Sequence, residues 1–114
     1  MTRATKQGFN PEYDEDAPSF EEVSDLKGFA VVEFGAPWCG HCQAAQPAVE
    51  EALSTYSLPH VKVFDGKGKP LGRAFKVKLW PTLILLRDGL EVDRVVRPIH
   101  TTEVAELLSH MNLR

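Results

Sequence analysis

The chain contains the segment Val31-Val-Glu-Phe-Gly-Ala-Pro-Trp-Cys-Gly-His-Cys42, in which an apolar run is followed closely by two cysteines. Cys39 and Cys42 are the only two cysteines among the 114 residues, and they stand at C-x-x-C spacing. A disulfide that closes so short a loop adds little stability, so structural cross-linking is the weakest interpretation. The pair indicates either thiol redox chemistry or a metal site.

The sequence around the cysteines predicts an α/β arrangement. Phe29–Phe34 is apolar on both faces except at Glu33, a pattern typical of a central strand that is buried on both sides. Gly40–Tyr56 carries apolar residues at helical spacing, and Pro47 inside it predicts a kink. His60–Phe64 is predicted as a second strand, and a strand–helix–strand order gives parallel pairing.

The second half of the chain predicts a hairpin and a last helix. The predicted elements are a turn at Asp65–Lys69, a short helix or loop at Pro70–Val77, strands at Thr82–Arg87 and Leu90–Val96 joined by Asp88-Gly89, and a helix capped by Thr101 or Thr102. An Asp-Gly pair between two apolar runs is a strong hairpin signal. We therefore expect an α/β fold with a mixed central sheet of four to five strands and helices on both faces. The cysteines would lie at the carboxyl end of a central strand, where open α/β sheets place their sites.

The first 18 residues are mostly polar and show no periodicity. We expect residues 1–18 to form a polar, flexible arm, with Phe9 and Tyr13 as the side chains able to dock. A single domain would follow at residues 19–114. Ser19 is expected to cap its first helix, and Gly28 to end that helix.

The composition argues against several classes of function. The chain carries a formal net charge of −3, with 43% hydrophobic and 25% charged residues, as in an ordinary soluble domain. The negative charge argues against a nucleic-acid partner. No apolar run reaches the roughly 18 residues of a membrane helix, and Met1–Gly8 shows no signal-peptide pattern. We expect a cytoplasmic monomer without membrane contact or bound cofactor.

The positions of the two cysteines suit disulfide exchange. Cys39 stands at the start of a predicted helix, where free N–H groups and the helix dipole favour the thiolate that attacks disulfides. His41, when protonated, adds a second stabilising charge. Cys42 lies one turn further along and is the expected resolving thiol. A stabilised thiolate at Cys39 makes the disulfide form more oxidising.

Glu33 is the one carboxylate in the apolar strand before the cysteines, and a buried carboxylate is costly unless it is paired or used. Its position before the loop allows it to lie near Cys42 and to exchange that thiol's proton. Burial raises the pKa of a carboxyl group, and raised values cluster at functional sites. An acid at an exposed strand end is the simpler alternative.

Both tryptophans of the chain stand beside this chemistry. Trp38 precedes Cys39, and Trp80 precedes Pro81. Each alone is more often a packing residue than a binding residue. Together they predict an apolar rim for an extended peptide that carries a substrate cysteine.

The chain resembles the thioredoxin-fold family in two specific motifs. Val31–Cys42 resembles the family's active-site segment, and its Ala-Pro-Trp-Cys-Gly-His-Cys part is most similar to the catalytic domains of protein disulfide isomerase. Trp80-Pro81-Thr82 resembles the cis-proline loop that faces the two cysteines in that fold. The resemblance continues through the hairpin to the last helix and covers roughly residues 19–112.

This resemblance implies a thioredoxin-like fold and a set of residue roles. Cys39 would be the nucleophile, Cys42 the resolving cysteine and Glu33 the buried acid. Pro81 would be cis, with its neighbouring backbone pairing to a bound peptide. Lys62 would lie near the buried acid, although an outward-facing strand lysine is an equal alternative.

Three features depart from the family's pattern. The residues before Ser19 do not match its usual first strand, and Trp80 is bulkier than the residue common before the cis-proline. Arg97-Pro98 follows the last strand, where relatives often have a glycine beside the substrate groove. A cation there would narrow the groove or favour acidic peptides.

The leading hypothesis is a thiol–disulfide oxidoreductase that exchanges disulfides with protein substrates and is recycled by a partner reductase or oxidant. A Gly-His pair between the cysteines favours an oxidase or isomerase, whereas a cytoplasmic location favours a thioredoxin-like reductase, which we prefer. A metal or iron–sulfur site is the second hypothesis, but a tetrahedral site needs four ligands and His41, His60 and His100 show no ligand spacing. A thioredoxin-fold interaction module that rarely turns over is the third.

Overall fold

A computed structural model describes residues 2–66 and 70–112. Within these ranges the chain forms five strands and four α-helices. In chain order the elements are β1 (Thr5–Gln7), α1 (Phe20–Ser24), β2 (Phe29–Gly35), α2 (Gly40–Leu53), β3 (Pro59–Phe64), α3 (Pro70–Ala74), β4 (Thr82–Arg87), β5 (Leu90–Val96), α4 (Thr101–Ser109) and a 3₁₀ turn at His110–Asn112. The predicted turn at Asp65–Lys69 lies in part outside the described residues.

The five strands form one mixed sheet in the order β1-β3-β2-β4-β5. β2 and β3 pair in parallel, and every other neighbouring pair is antiparallel. Helices α2 and α4 cover one face, where Val49 and Leu107 pack in one cluster with Val31 of β2. On the other face, Val23 and Leu71 bring α1 and α3 into a second cluster. The predicted mixed sheet with helices on both faces is confirmed.

The N-terminal segment contributes a strand, β1, to the edge of the sheet, where the sequence predicts only a flexible arm. β1 pairs with β3 and becomes the fifth strand. The side-chain amide of the buried Asn10 donates hydrogen bonds to the carbonyl oxygens of Ala4 (2.8 Å) and His60 (3.2 Å). Asp14 accepts a further bond from the Phe64 N–H at 3.0 Å. These bonds hold a segment in which the sequence shows no apolar periodicity.

Two helix boundaries differ from the predicted ones. α2 ends at residue 53, three residues earlier than expected. The N-cap of α4 is His100, where the sequence predicts Thr101 or Thr102. The reason is Glu103, whose carboxylate accepts hydrogen bonds from the backbone N–H groups of Ile99 and His100, both at 2.9 Å. The Glu103 side chain thus reaches back and pairs the backbone N–H groups at the start of the helix.

The first helix and the hairpin follow the local signals more closely. Ser19 caps α1 as predicted, although the helix ends at Ser24, well before Gly28. Asp88 and Gly89 have φ angles of 52° and 81°. This left-handed pair is the conformation that a two-residue hairpin turn requires.

Candidate active site

The two cysteines lie between the end of β2 and the start of α2. Cys39 is the N-cap of α2, and its Sγ accepts a hydrogen bond from the Cys42 N–H at 3.3 Å. Both residues are free thiols, with Cys39 8% exposed and Cys42 2% exposed. An incoming disulfide therefore reaches Cys39 more easily than Cys42.

The two thiols have different surroundings. Cys39 lies at the N-terminus of a helix of 14 residues, whose first N–H groups point toward it. His41 is exposed in the first turn of the same helix. Burial, together with a hydrogen bond to Cys39, raises the pKa of Cys42 to about 11. Cys42 is therefore a protonated thiol at neutral pH and has to lose that proton in order to react.

Glu33 lies on β2, is 2% exposed, and has a hydrogen-bond partner for each carboxylate oxygen. The Tyr13 hydroxyl donates to Oε2 at 2.5 Å, and His60 Nε2 lies 2.8 Å from Oε1. His60 Nδ1 accepts a bond from the Asn10 N–H at 2.9 Å. Because a backbone N–H can only donate, the ring proton is on Nε2, which donates to Glu33.

Lys62 faces inward, beside Glu33, and is not an outward-facing strand lysine. It is the register partner of Glu33 between β2 and β3 and is 1% exposed. Its Nζ donates to the Pro11 carbonyl oxygen at 3.0 Å and lies 4.5 Å from the centroid of the Tyr13 ring. Burial lowers the pKa of Lys62, and the charge of Glu33 opposes that change. Tyr13, Glu33, His60 and Lys62 are called the Glu33 cluster below.

The Glu33 cluster keeps its carboxyl group ionised. Burial alone would raise the pKa of Glu33, but the interaction with His60, the charge of Lys62 and the hydrogen bond from Tyr13 lower it below its usual value. The raised pKa expected from the sequence is therefore wrong. The partners that reverse it come from β3 and from the N-terminal segment. At neutral pH Glu33 is a carboxylate that can accept a proton.

The Tyr13 hydroxyl connects the Glu33 cluster with Cys42. It donates to Glu33, and the Tyr13 side chain packs against the cluster of Ala36, Cys39 and Cys42. Gly35 leaves room for this contact, because a methyl group on its Cα would lie 2.6 Å from both the Cys42 Sγ and the Tyr13 hydroxyl oxygen. Burial and the charge of Glu33 raise the pKa of Tyr13, so the hydroxyl stays protonated.

A groove of about 440 Å³ lies beside the first cysteine. Its lining residues are Trp38, Cys39, Gly40, Lys78, Leu79, Trp80 and Arg97. Trp38 is 66% exposed, and its ring packs edge-on against Trp80 with 5.6 Å between ring centroids. The Trp80 indole N–H donates to the Asp65 carboxylate at 3.0 Å, which holds that ring in place. The two tryptophans thus lie together in the groove.

The Trp80–Pro81 peptide bond is cis, and Arg97 holds the loop around it. The Arg97 N–H donates to the Pro81 carbonyl oxygen at 2.9 Å, and its Nε donates to the Trp80 carbonyl oxygen at 2.8 Å. Arg97 has a φ angle of 53°, in the left-handed region that favours glycine. These two bonds hold the backbone in a conformation that is otherwise costly for a side chain.

The described part of the chain offers no group of metal ligands. Among residues 2–66 and 70–112, no three His, Cys, Asp or Glu side chains lie close enough together to hold a metal ion. His60, a candidate ligand in the sequence, is bonded to Glu33 and Asn10. Within the same ranges, no helix combines the length and apolar character needed to cross a bilayer.

Comparison with known proteins identifies the family. The thioredoxin family model matches residues 12–110. The chain belongs to the thioredoxin family. Thioredoxin 1 of Synechococcus elongatus is 34% identical over 95 residues, which are 82% of this chain and 89% of that protein. Thioredoxin 2 of Pseudomonas aeruginosa PAO1, in its reduced form, is 49% identical with a TM-score of 0.80, covering 90% of this chain and 96% of that chain.

Protein disulfide isomerases are also similar to this thioredoxin-family chain. That of Hordeum vulgare is 38% identical over 80 residues, although the match spans only 16% of its length. The resemblance and the thioredoxin-like fold expected from the sequence are therefore confirmed. The protein is a thiol–disulfide oxidoreductase, and the family acts on protein disulfides.

Two members of the Glu33 cluster are not predicted as functional residues by the sequence. Tyr13 is expected there only as a docking side chain, and His60 only as a candidate metal ligand. They lie 20 and 27 residues from Glu33 along the chain, so no local spacing connects them. The available signal is a histidine in a strand that is apolar apart from Lys62, since a buried histidine needs a polar partner.

Proposed function

We propose that Cys39 and Cys42 are the redox pair of a thioredoxin-like disulfide reductase. The contrast between the two thiols supports this assignment. Cys39 lines the groove at a helix N-terminus, whereas Cys42 is 2% exposed and has a pKa of about 11. Attack therefore falls to Cys39 and resolution to Cys42. His41, when protonated, would further stabilise the Cys39 thiolate.

In the proposed reaction, the Cys39 thiolate attacks one sulfur of the substrate disulfide and releases the first substrate thiolate. Cys42 then attacks the Cys39 Sγ of the mixed disulfide. The Cys39–Cys42 bond forms, the bond to the substrate breaks, and the second substrate thiolate leaves. The substrate gains two electrons, which the cysteine pair loses. Glu33 accepts the proton of Cys42, and the substrate thiolates take protons from water.

The groove is the proposed site for an extended peptide. Trp38 and Trp80 offer it apolar surface, and the backbone beside Pro81 offers an edge to which a peptide strand can pair. Lys78 and Arg97 add positive charge to the same groove. A peptide with acidic residues next to its disulfide therefore suits this surface best.

The direction of electron flow, the partners and the location are proposed from the chemistry of the pair. A reductase needs a second enzyme that returns electrons to its disulfide, and thiols stay reduced in the cytoplasm. The thioredoxins of Synechococcus elongatus and Pseudomonas aeruginosa match this chain over 89% and 96% of their own length. We therefore infer a cytoplasmic monomer recycled by a reductase. An oxidase or isomerase of higher potential is the alternative, favoured by the Gly-His pair between the cysteines.

Stoichiometric reduction of a peptide disulfide tests this function. Reduced protein mixed with an equimolar disulfide peptide is expected to release two peptide thiols per protein and to acquire a Cys39–Cys42 disulfide. Alkylation followed by peptide mass mapping identifies the bond. Peptide reduction without that intramolecular disulfide would overturn the proposal.

Replacing Arg97 by glycine is expected to change substrate preference. The variant removes a positive charge from the groove and relieves a left-handed conformation that costs a side chain about 1 kcal/mol. At low ionic strength the native protein is expected to reduce an acidic disulfide peptide about tenfold faster than a neutral one. Arg97→Gly should lose most of that ratio.

The matched control for this substitution is Lys27→Ala. Lys27 precedes β2, whereas the groove lies beyond the other end of that strand. This variant removes a positive charge but should keep the native ratio of rates. Identical ratios for Arg97→Gly and the native protein would show that Arg97 does not select acidic peptides.

A further inference from the structure

We propose that Tyr13 is a proton relay between the resolving thiol and the buried carboxylate, a proposal that rests on the proposed function of the cysteine pair. Its hydroxyl donates to Glu33 Oε2 at 2.5 Å, and a methyl group on the Gly35 Cα would lie 2.6 Å from both this hydroxyl oxygen and the Cys42 Sγ. A hydroxyl can accept one proton while it donates another. Tyr13 therefore joins two groups that must exchange a proton during the reaction.

The relay operates when Cys42 attacks the mixed disulfide on Cys39. The S–H proton of Cys42 passes to the Tyr13 oxygen, and the proton of Tyr13 passes to Glu33 Oε2. The electron pair left on Cys42 forms the bond to the Cys39 Sγ. The bond between Cys39 and the substrate breaks, and its electron pair leaves with the substrate sulfur. Tyr13 is unchanged at the end, and Glu33 is protonated.

The acidities of these groups favour a step in which the proton and the electron pair move together. The pKa of Cys42 is about 11 and that of Glu33 is lowered, so the resting thiol keeps its proton. As the new S–S bond forms, the Cys42 sulfur loses electron density and its proton becomes strongly acidic. Tyr13 stays protonated because its own pKa is raised, so it is always available as the carrier.

The N-terminal segment holds Tyr13 in this position. The backbone of Asp14 bonds to β3 on both sides, from its N–H to the Lys62 carbonyl oxygen at 3.1 Å and from the Phe64 N–H to its own carbonyl oxygen at 3.0 Å. The Lys62 ammonium lies over the Tyr13 ring. The N-terminal segment therefore contributes to the proposed relay, because it places a hydroxyl group between Cys42 and Glu33.

A cavity beside Tyr13 offers the route by which the proton leaves. It measures about 300 Å³ and is lined by Tyr13, Cys42 and the exposed residues Pro11, Glu12 and Gln43, among others. Water in this cavity can reach the tyrosine hydroxyl from the surface. Glu33 can then return its proton through Tyr13 to solvent once the cysteine disulfide has formed.

Stopped-flow reaction with an aromatic disulfide that releases a coloured thiolate separates the two steps. The first release reports attack by Cys39, and the second reports resolution by Cys42. Tyr13→Phe is expected to leave the first rate unchanged and to slow the second on the order of 100-fold at neutral pH, the low end of general-base contributions. The other tyrosine supplies the control: Tyr56 packs against the core cluster under α2, and Tyr56→Phe should change neither rate.

The pH profile and the solvent isotope effect distinguish a relay from a structural role. In Tyr13→Phe, hydroxide has to remove the Cys42 proton, so the second rate should rise about tenfold per pH unit below the pKa of that thiol. The native second rate should rise less steeply. The native second phase should also be slower in D₂O, and by a larger factor than in the variant. This isotope effect is measured on the native protein as well, so it does not depend on how well the variant folds.

A double-variant cycle completes the test. Tyr13→Phe combined with Glu33→Gln should slow the second phase no more than either change alone, because both interrupt one relay. Additive losses, or a Tyr13→Phe second phase with the native rate and pH slope, would overturn the relay. Failure of the first phase in the native protein would instead overturn the proposed function.

Discussion

Replacing Cys39 by serine is expected to abolish disulfide reduction, lowering the rate on the order of 10³-fold or more, as loss of a catalytic nucleophile does elsewhere. The remaining thiol cannot substitute for it, because Cys42 is 2% exposed and its pKa is about 11. The rate at which a disulfide peptide releases free thiols measures this loss.

The matched variant Cys42→Ser should behave differently from Cys39→Ser. Attack by Cys39 continues, but no resolving thiol follows, so a covalent mixed disulfide with the peptide accumulates. Mass spectrometry without reducing agent detects this adduct. Equal adduct formation through Cys42 in Cys39→Ser would contradict the assigned roles.

Replacing Glu33 by alanine is expected to destabilise the protein by about 3–5 kcal/mol, the range for removing one partner of a buried charged cluster. The substitution leaves the buried Lys62 charge, the His60 ring N–H and the Tyr13 hydroxyl without their shared acceptor. Urea unfolding at neutral pH measures the change. A surface pair supplies the control: Glu91 lies 2.6 Å from Arg94 with both side chains partly exposed, and Glu91→Ala should cost only about 0–1 kcal/mol.

The pH dependence of stability gives an independent test of the same carboxylate. The pKa of Glu33 is lower in the folded protein than in the unfolded chain, so its stabilising contribution is present above the usual carboxyl pKa of 4.5. That contribution is lost as the pH falls through the folded value. Glu33→Gln should therefore lose less stability than the native protein on acidification. Parallel acid profiles for the two proteins would contradict an ionised Glu33.

The elements from β2 onward could be predicted because each contains its own pattern. The apolar run at Phe29–Phe34, the helical spacing after Cys39 and the Asp88-Gly89 pair each indicate one local structure. The cysteines and Glu33 could also be predicted, since a thiol pair and a lone acid in an apolar strand are local signals. Strand β1 has only three residues, and side-chain bonds from Asn10 stabilise the segment around it, so the sequence offers no comparable pattern.

The electrostatic state of Glu33 could not be predicted for a related reason. The sequence displays only its apolar neighbours on β2, which favour a raised pKa. The residues that lower the pKa are Tyr13, His60 and Lys62, and pairing of β3 and the N-terminal segment brings them together. Likewise, the charge of Arg97 can be read from the sequence, but its hydrogen bonds to the loop around Pro81 cannot. Tertiary contacts decide both properties.

Equilibration of the protein with glutathione buffers tests the central claim most directly, namely that Cys39 and Cys42 form one reversible two-electron couple. Acid trapping and alkylation count the free thiols at each ratio of reduced to oxidised glutathione. We expect both thiols to disappear together in a single transition, at a potential between the about −270 mV of thioredoxin and the about −180 mV of protein disulfide isomerase. Cysteines that stay free at every ratio, or that titrate separately as two glutathione adducts, would contradict the claim.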